Sequence, residues 1–383
     1  MVFDTALFDN LKTPLYLYDT EILCRTIGNL KTESEKKGVC VNYALKANSE
    51  EKVVNTMSKA GFGADCVSGN EVKMALRCGF QAEDIFFAGV GKSDEEIEIA
   101  VKMRIGALVV ESLQELEVVD GIAGRLGETA NVMLRVNPDI DAHTHRFITT
   151  GTSLNKFGLD WNDVPTALGI VARAKNIRFK GLHMHVGSQI TDLEVFANEC
   201  RKMNELVEFV ENSGFAVEHI SLGGGLAIDY DNPDEHPVPD FAGWISIVDA
   251  HLQRRASQKI HIEPGRSLVA QCGTLVSRVL YVKYNPACNF MVLDAGMNNL
   301  IRPALYGANH KIENLSALSR GEKEEVKYEV VGPVCESSDV FASACPLPKA
   351  QRGDIVAIRS AGAYGATMSN RYNLKDLAES LYV

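Results

Sequence analysis

The sequence predicts an α/β protein built on a (β/α)8 barrel, with a second, mainly β domain after it. Two observations support this fold class: from about residue 40 short β-prone runs alternate with helical patterns, and after Glu263 the helical patterns become rare. Alternating strands and helices indicate parallel βα units, and eight of them over about 225 residues match a closed barrel. An open doubly wound sheet fits less well, because no GxGxxG opens the first helix. The eight predicted barrel strands are Val41–Leu45, Gly63–Val67, Asp84–Ala88, Ala107–Val110, Asn131–Val136, Phe179–Val186, Val217–Leu222 and Lys259–Glu263.

The helical periodicity between these strands is illustrated by the segment Thr191–Asn212. Thr191 and Glu194 have the spacing of a capping box, and Gly214 supplies a stop signal. The apolar residues of this segment recur on one helical face, which predicts an amphipathic helix.

The segment after the eighth strand predicts a domain of mainly β structure. A further β-prone run, Leu15–Tyr18, lies near the start of the chain. It either pairs with this domain or precedes the barrel, and periodicity alone leaves both possibilities open. The predicted strands of the second domain are Leu275–Tyr284, Phe290–Leu293, Val326–Val331 and Asp354–Ile358.

The composition argues against several classes of protein. The chain has 39 Lys and Arg against 50 Asp and Glu, and the net charge of −11 argues against a broad nucleic-acid-binding surface. Nine cysteines without a CxxC pair argue against a zinc ribbon and fit reduced thiols in a cytoplasm. No signal peptide is visible, and no run approaches the roughly 18 apolar residues of a membrane span. We therefore expect a cytoplasmic enzyme without a membrane or nucleic-acid partner.

Polar residues recur where the predicted barrel strands end. Catalytic groups of barrel enzymes lie at the carboxyl ends of the strands, so these residues are candidates for an active site. They are Lys46, Asp65, Arg135, His183, His185, the run Gly223–Gly225, and Glu263.

Three of these features together describe a site for pyridoxal 5′-phosphate (PLP). A desolvated Lys46 suits a Schiff base with the aldehyde of PLP. The glycines 223–225 let backbone N–H groups approach a phosphate, with Ser188 and Arg266 as further donors. Glu263 beside the pyridine nitrogen would keep that nitrogen protonated, so the ring could accept electrons. Each feature alone has a plain structural explanation, and only their combination favours PLP.

The pair His183 and His185 offers an alternative function. Residues two apart on a strand share one face, so both rings could bind a metal in a barrel hydrolase. The sequence shows no companion carboxylates at a ligand spacing, so we rank the metal site below PLP and expect no metal. His185 stacked on the cofactor ring and His183 in the core is the simpler interpretation.

Five motifs, in order, resemble the alanine-racemase-like (fold type III) family of PLP-dependent decarboxylases. The resemblance extends from Thr13 to Asn373, nearly the whole chain. The motifs are Tyr43-Ala-Leu-Lys46-Ala-Asn48, His183-Met-His185-Val-Gly-Ser188-Gln, Gly223-Gly-Gly225-Leu-Ala-Ile, Glu263-Pro-Gly-Arg266 and Gly362-Ala-Tyr364-Gly.

The resemblance implies a PLP-binding barrel over residues 27–265 and a β domain, of residues 1–26 and 266–383, that completes the active site and the interface of a homodimer. Lys46 would bind PLP, and Cys335 would reach the site of the neighbouring subunit as a proton donor. The further cofactor-binding residues implied are Asp65, Arg135, His185, Ser188, Gly223, Gly224, Gly225, Glu263, Arg266 and Tyr364.

The segment from Asp294 to Tyr306 resembles that of family members which decarboxylate meso-diaminopimelate to L-lysine and CO2. The distal end of this substrate carries an ammonium and a carboxylate, which call for a carboxylate and a guanidinium in the protein. By the resemblance, Arg302 and Tyr306 would bind the distal carboxylate and Glu336 the distal ammonium.

Arg266 and Tyr364 are further expected substrate contacts. A decarboxylase of the ornithine, arginine or carboxynorspermidine type stays open as an alternative. A racemase is less favoured, because Cys335 and Glu336 would then lack a purpose. A non-catalytic PLP carrier is less favoured, because it needs neither the β domain nor a cysteine from a second subunit.

Overall fold

The structure is a computed structural model, and it describes Phe8 and residues 11–140 and 155–383. Parts of the predicted domain segment 1–26, namely residues 1–7 and 9–10, therefore lie outside the described residues. No helix among the described residues is both long and apolar enough to cross a membrane.

The described chain contains sixteen strands and eleven α-helices. The strands are β1 Leu15–Tyr18, β2 Val39–Ala44, β3 Gly63–Cys66, β4 Ile85–Phe87, β5 Ala107–Val110, β6 Ala130–Arg135, β7 Ile177–His183, β8 His219–Ser221, β9 Lys259–Ile262, β10 Gly273–Tyr284, β11 Asn289–Leu293, β12 Ile312–Asn314, β13 Glu325–Val331, β14 Val340–Pro348, β15 Ile355–Ile358 and β16 Glu379–Tyr382. The helices are α1 Thr20–Lys37, α2 Glu51–Lys59, α3 Gly69–Arg77, α4 Asp94–Lys102, α5 Leu113–Leu126, α6 Val164–Arg173, α7 Glu194–Asn212, α8 Phe241–His251, α9 Arg266–Val269, α10 Arg302–Tyr306 and α11 Leu315–Ser319.

Strands β2 to β9 form a closed barrel in which every neighbouring pair is parallel. The barrel closes where β2 pairs with β9, with Val39 opposite Ile260. Each barrel strand is followed by a helix, from α2 to α9. This arrangement confirms the predicted fold class, a (β/α)8 barrel with an additional β domain.

The predicted barrel strands extend beyond several of the observed ends. The seventh observed strand of the chain, β7, ends at His183, whereas the prediction continued to Val186. Met184 and Val186 follow the end of the strand and are fully buried. The alternation of apolar residues therefore continues beyond the last residue that pairs in the sheet, and the predicted strand is too long.

The barrel helices begin at side chains that cap their first turn. Ser68, Ser93 and Ser112 each accept a hydrogen bond from the N–H three residues later, which satisfies one unpaired donor of α3, α4 and α5. The predicted capping box at Thr191 is wrong. Helix α7 begins at Glu194, whose N–H instead binds the side chain of Asp192.

The remaining strands form a second sheet with the order β12-β15-β10-β11-β13-β14, and β1 pairs with both β10 and β16. The run Leu15–Tyr18 thus belongs to this sheet, which resolves the alternative left open by the sequence. A buried apolar cluster lies under the sheet, formed by Phe8, Leu15, Leu17, Val276, Leu315, Ile355 and Ala357.

Backbone contacts divide the chain into two compact units. The barrel unit comprises residues 27–227 and 240–265, and the β unit comprises residues 1–26, 228–239 and 266–383. The segment 228–239 groups with the β unit, where Asp234 forms an ion pair with Arg359 at 2.8 Å.

Candidate active site

The barrel unit holds a lysine–carboxylate pair just beyond two adjacent strands. Lys46 lies in a short 3₁₀ turn that follows β2, and its Nζ is 2.7 Å from Oδ2 of Asp65 on β3. The Lys46 side chain is 38 % exposed, whereas Asp65 is buried and its Oδ1 has no partner among the described residues. Burial raises the pKa of Asp65 although Lys46 lowers it. The pair therefore leaves the amine accessible and one carboxylate oxygen free for another donor.

A second lysine of the barrel unit, Lys92, lacks this accessibility. Its side chain is 1 % exposed, and its Nζ donates to the backbone oxygens of Gly89 and Val109 and to Glu115, all within 2.7 Å. An ammonium has three donors, so these three acceptors satisfy it fully. Lys92 is thus a structural residue, and Lys46 is the better candidate for a nucleophile.

Glu263 accepts hydrogen bonds from two barrel residues. Its Oε2 lies 2.9 Å from Nε2 of His183, and its Oε1 accepts from Ser221 Oγ at 2.6 Å. Burial raises the pKa of Glu263, but His183 and Ser221 outweigh burial and hold it well below its ordinary value. Glu263 is therefore an anion, as a partner of a pyridinium must be. The predicted core position of His183 is correct, since the ring is 2 % exposed.

His185 lies beside the glycine run. Its Nδ1 accepts a hydrogen bond from the N–H of Gly224 at 3.2 Å, and Ser221 Oγ accepts from the N–H of Gly223 at 3.3 Å. Burial, followed by the nearby Arg135, lowers the pKa of His185 well below its ordinary value, so the ring is neutral.

The glycine run is required by its surroundings. Gly223 and Gly225 have φ angles of +62° and +126°, which favour glycine. A Cβ on Gly224 would collide with the backbone oxygen of Glu263, and one on Gly223 with the ring of His185. The run thus packs tightly against Glu263 and His185, and a side chain at Gly223 or Gly224 would clash with them.

Arg135 is committed to an acidic neighbour. Its Nη1 is 3.0 Å from Oε1 of Glu111, and its guanidinium lies 4.8 Å from the ring centroid of Phe157. Glu111 also accepts the N–H groups of Gly89 and Gly158. Arg135 is buried and anchors this network, so its predicted contact with a cofactor stays a prediction.

The β unit carries two buried arginines around one tyrosine. Arg266 donates to Tyr230 Oη at 2.7 Å and lies 5.0 Å from the ring centroid of Tyr364. Arg302, at the start of α10, lies 4.8 Å from the ring centroid of Tyr230. Tyr364 has a φ of +57°, an uncommon conformation for a non-glycine residue.

Arg302 has a histidine as its hydrogen-bond acceptor. Its Nη1 donates to Nε2 of His310 at 2.7 Å, and His310 Nδ1 is 2.8 Å from the backbone oxygen of Arg359. Arg302 is 5 % exposed, its Nε has no partner, and no carboxylate of the described chain lies within ion-pair distance of it. A buried cation of this kind is suited to an anionic ligand.

The remaining predicted residues of the β unit are more exposed. Tyr306 is half-buried on α10, and its hydroxyl lies 4.0 Å from the sulfur of Met368. Cys335 and Glu336 are exposed, and Glu336 accepts a hydrogen bond from Tyr372 at 2.9 Å. Ser188 is half-buried in the loop after β7, in the barrel unit.

The structure brings together Lys46 with Asp65, and Glu263 with His183, within the barrel unit. It also reveals residues that sequence reasoning missed: Glu111, Ser221, Tyr230 and His310. Glu111 and Ser221 lie at the carboxyl ends of β5 and β8, so the rule applied to Lys46 could have found them. No local pattern marks Tyr230 or His310, because their importance depends on contacts distant in sequence.

The described residues contain no group of three or more His, Cys, Asp or Glu side chains that could hold a metal ion. His183 is bonded to Glu263, and His185 to Gly224, so the two rings are already engaged separately. The alternative of a metal-dependent hydrolase therefore has no support in this part of the chain.

A closed βα barrel with an accessible lysine, an anionic glutamate and a glycine turn beyond its strands defines a PLP-binding barrel protein. The sequence profile of the pyridoxal-binding domain of pyridoxal-dependent decarboxylases matches residues 25–270. The diaminopimelate decarboxylase of Bacteroides thetaiotaomicron is 46 % identical over 377 residues, which cover 98 % of this chain and 97 % of that protein. The enzyme of the same name from Neisseria meningitidis is 39 % identical, covering 97 % and 89 % of the two chains.

A solved structure shows the same likeness. The diaminopimelate decarboxylase of Helicobacter pylori complexed with L-lysine superposes with a TM-score of 0.92 at 36 % identity, covering 99 % of this chain and 93 % of the other. The chain belongs to the diaminopimelate decarboxylases, within the pyridoxal-dependent decarboxylase family.

PLP is thus the cofactor, and the barrel unit fits it. Asp65 Oδ1 is an unsatisfied buried acceptor beside the Lys46 amine, and the glycine run lies close to His185 and Glu263, where side chains at Gly223 and Gly224 are excluded. The anionic Glu263 and the neutral ring of His185 suit a pyridinium and its face, respectively.

Proposed function

We propose that this chain decarboxylates meso-diaminopimelate to L-lysine and CO2, the last step of lysine biosynthesis, and that its predicted site residues act in this reaction. The choice of substrate rests on the surroundings of Arg302. This guanidinium is buried and is hydrogen-bonded to a histidine, but to no carboxylate of the described chain. A second amino-carboxylate end, as in diaminopimelate, supplies the anion that this arginine lacks.

The barrel residues would serve the cofactor. PLP, when bound, withdraws electrons from the α-carbon of an attached amino acid, which allows CO2 to leave. Lys46 would hold the cofactor through its amine, and Asp65 would keep that amine oriented. Glu263 would keep the pyridine nitrogen protonated, because its own pKa is held low. His185 would cover one face of the ring.

The phosphate of PLP requires several donors. We assign it to Ser188, Arg266, Tyr364 and the glycine run 223–225. Arg135, held in place by its ion pair with Glu111, would also contact the cofactor.

The distal end of the substrate would be recognised by β-unit residues. Arg302 and Tyr306, one turn apart on α10, would bind its carboxylate, and Glu336 would bind its ammonium. After CO2 has left, Cys335 or Lys46 would return a proton to the α-carbon. Lys46, oriented by Asp65, would supply the amine that holds the cofactor between turnovers.

We further propose that the chain works as a cytoplasmic homodimer in which Cys335 serves the partner's site. Support comes from the surface beside it. The backbone N–H of Cys335 binds Asn373, and the adjoining Leu374 is 95 % exposed, with Leu377 and Tyr372 also exposed. A second copy that covers this apolar patch would remove it from water.

The experiment is to load the purified protein with PLP and to measure CO2 and L-lysine from meso-diaminopimelate, with ornithine as the comparison substrate. We expect turnover of diaminopimelate and none of ornithine. Lys46→Ala serves as the control and should lose turnover while its unfolding temperature stays within a few degrees.

The two other outcomes have distinct meanings. Turnover of ornithine but not of diaminopimelate by the PLP-loaded protein would reject the proposed substrate and favour a decarboxylase of another basic amino acid. Wild-type turnover by Lys46→Ala would reject the assignment of Lys46.

A further inference from the structure

His310 has only one protonation state that fits its two contacts. The backbone oxygen of Arg359 can only accept, so His310 Nδ1 must carry the proton that binds it at 2.8 Å. The guanidinium of Arg302 can only donate, so Nε2 of His310 must offer its lone pair at 2.7 Å. The ring is therefore a neutral imidazole, and it joins a buried arginine to a fixed backbone oxygen.

A neutral acceptor leaves the charge of Arg302 intact. The carboxylates nearest in the network, Asp234 and Glu313, are paired with Arg359 at 2.8 and 2.7 Å. His310 is itself 3 % exposed and packs against the ring of Tyr230 with centroids 5.1 Å apart, so water does not replace a missing anion there. The Nε of Arg302 stays buried and without a partner.

Arg359, in the same unit, shows how an arginine is held when its partners are carboxylates. Arg359 is held by two carboxylates, which fix its position and also neutralise it. An arginine held in this way binds a ligand carboxylate weakly, because two anions compete for one cation. Arg302 is instead fixed without neutralisation.

We propose that His310 is a positioning residue that selects ligands with a distal carboxylate, by holding Arg302 in place as a neutral acceptor and leaving its positive charge for the ligand. This inference deepens the proposed function and rests on it. Since decarboxylation at one end leaves the other end unchanged, L-lysine keeps the distal amino-carboxylate, whereas cadaverine lacks the carboxylate.

The test compares His310→Gln with His310→Glu in the PLP-loaded enzyme. The glutamine amide can still accept from Arg302 and donate to the oxygen of Arg359, whereas the glutamate adds an anion beside Arg302. Gln351→Glu, at an exposed position of the β unit, controls for the added negative charge. Binding of L-lysine and of cadaverine is followed by the change in PLP absorbance, and KM and kcat for diaminopimelate are measured alongside.

We expect His310→Glu to weaken L-lysine binding and raise KM about 10–100-fold, as for loss of a charge-assisted contact, with a smaller effect on cadaverine. His310→Gln should stay within about threefold of wild type for L-lysine. Unchanged L-lysine binding in His310→Glu would overturn the proposal. Equal losses for both ligands in both variants would also overturn it and show a purely structural role.

Failure of the proposed function gives a different result. Wild-type enzyme that binds PLP but does not turn over diaminopimelate rejects the proposed substrate before any variant is compared. If His310→Glu does not fold, as judged by its unfolding temperature, His310→Gln decides alone: a loss of L-lysine binding greater than tenfold, with cadaverine affected equally, rejects the inference.

Discussion

Two buried carboxylates of the barrel unit, Asp65 and Glu263, have opposite electrostatic environments. Burial raises the pKa of Asp65, whose Oδ2 pairs with the partly exposed Lys46. Glu263 receives hydrogen bonds on both oxygens, and its pKa lies well below the ordinary range. Carboxyl groups whose environments separate their pKa values commonly have separate roles. Here Asp65 is suited to exchange a proton with the Lys46 amine, whereas Glu263 is suited to remain charged throughout the reaction.

Replacing Glu263 by glutamine tests that permanent charge. The amide cannot stabilise a protonated pyridine nitrogen, so kcat should fall about 100-fold, as when one electrostatic contact to developing charge is removed. The measurement is kcat for diaminopimelate, with PLP loading checked by absorbance. Ser221→Ala, which removes one hydrogen bond but keeps the charge, should have a smaller effect. A kcat of Glu263→Gln equal to wild type would contradict the assigned role.

At the residue scale, the sequence predicted the groups but not their partners. Lys46, Asp65 and Glu263 stand at strand ends, a position that the alternation of strands and helices reveals. The bond between His183 and Glu263 joins residues 80 positions apart, and it depends on the closure of the barrel. Local pattern contains no information on which strands become neighbours through that closure.

At the scale of elements, the loop that carries Cys335 is held by one buried side chain. Asp339 accepts the N–H of Met297 at 2.6 Å and that of Val334 at 2.7 Å. Gly332 lies so close to the same carboxylate that a Cβ would collide with it. The shape of the loop therefore depends on Asp339 and on the absence of a side chain at Gly332.

Asp339→Ala should loosen this loop. It leaves two buried N–H groups without acceptors, so the free energy of unfolding should fall by about 2–4 kcal/mol. Turnover should also fall, because Cys335 loses its fixed position. Urea denaturation and kcat measure the two effects. Asp339→Asn keeps one carbonyl acceptor and should lose about half as much stability; equal stability of all three proteins would refute this account.

The prediction of elements succeeded where strands are long and apolar and failed at the sheet edges. Strand β14 contains Pro346 and Pro348, which a strand tolerates at an edge but which conceal it in the sequence. Strand β12 has only three residues, and β16 forms by pairing with β1, far away in the chain. The start of α7 was misplaced because Asp192, rather than Thr191, binds the first helical N–H.

For the whole molecule, two buried histidines predict the response to acid. Burial lowers the pKa of His261 and of His310 to about 3, far below the value near 6.5 of an unfolded chain. Between these values only the unfolded chain binds the protons, so stability is complete above about pH 6.5 and falls as the pH falls. From pH 6.5 to 5 the loss is about 2 kcal/mol for each histidine.

The urea midpoint at pH 8, 6.5 and 5 checks this expectation. Wild type should change little between pH 8 and 6.5 and weaken clearly by pH 5. His310→Gln should weaken less over the same interval, since one of the rings that titrate in this way is absent. A midpoint that is constant from pH 8 to 5 would show that these rings are not buried in neutral form.

The proposed homodimer predicts complementation between two inactive chains. If each site combines Lys46 of one subunit with Cys335 of the other, a hybrid of Lys46→Ala and Cys335→Ala has one intact site. Random pairing makes half of the dimers hybrids, so co-expression should restore about a quarter of wild-type activity. Size-exclusion chromatography with light scattering verifies the dimer. No recovery in a confirmed hybrid would place Cys335 in the site of its own chain.

The different surroundings of Lys46 and Lys92 predict that an aldehyde will label Lys46 and leave Lys92 unlabelled. An aldehyde must meet an amine that can give up its proton and turn outward. Lys92, with three acceptors and almost no exposure, cannot do so in the folded protein, whereas the Lys46 side chain is 38 % exposed and its amine is paired with the Asp65 carboxylate. Borohydride treatment of the PLP-loaded protein should therefore mark the peptide that contains Lys46, and mass spectrometry of the digest should find the peptide of Lys92 unmodified.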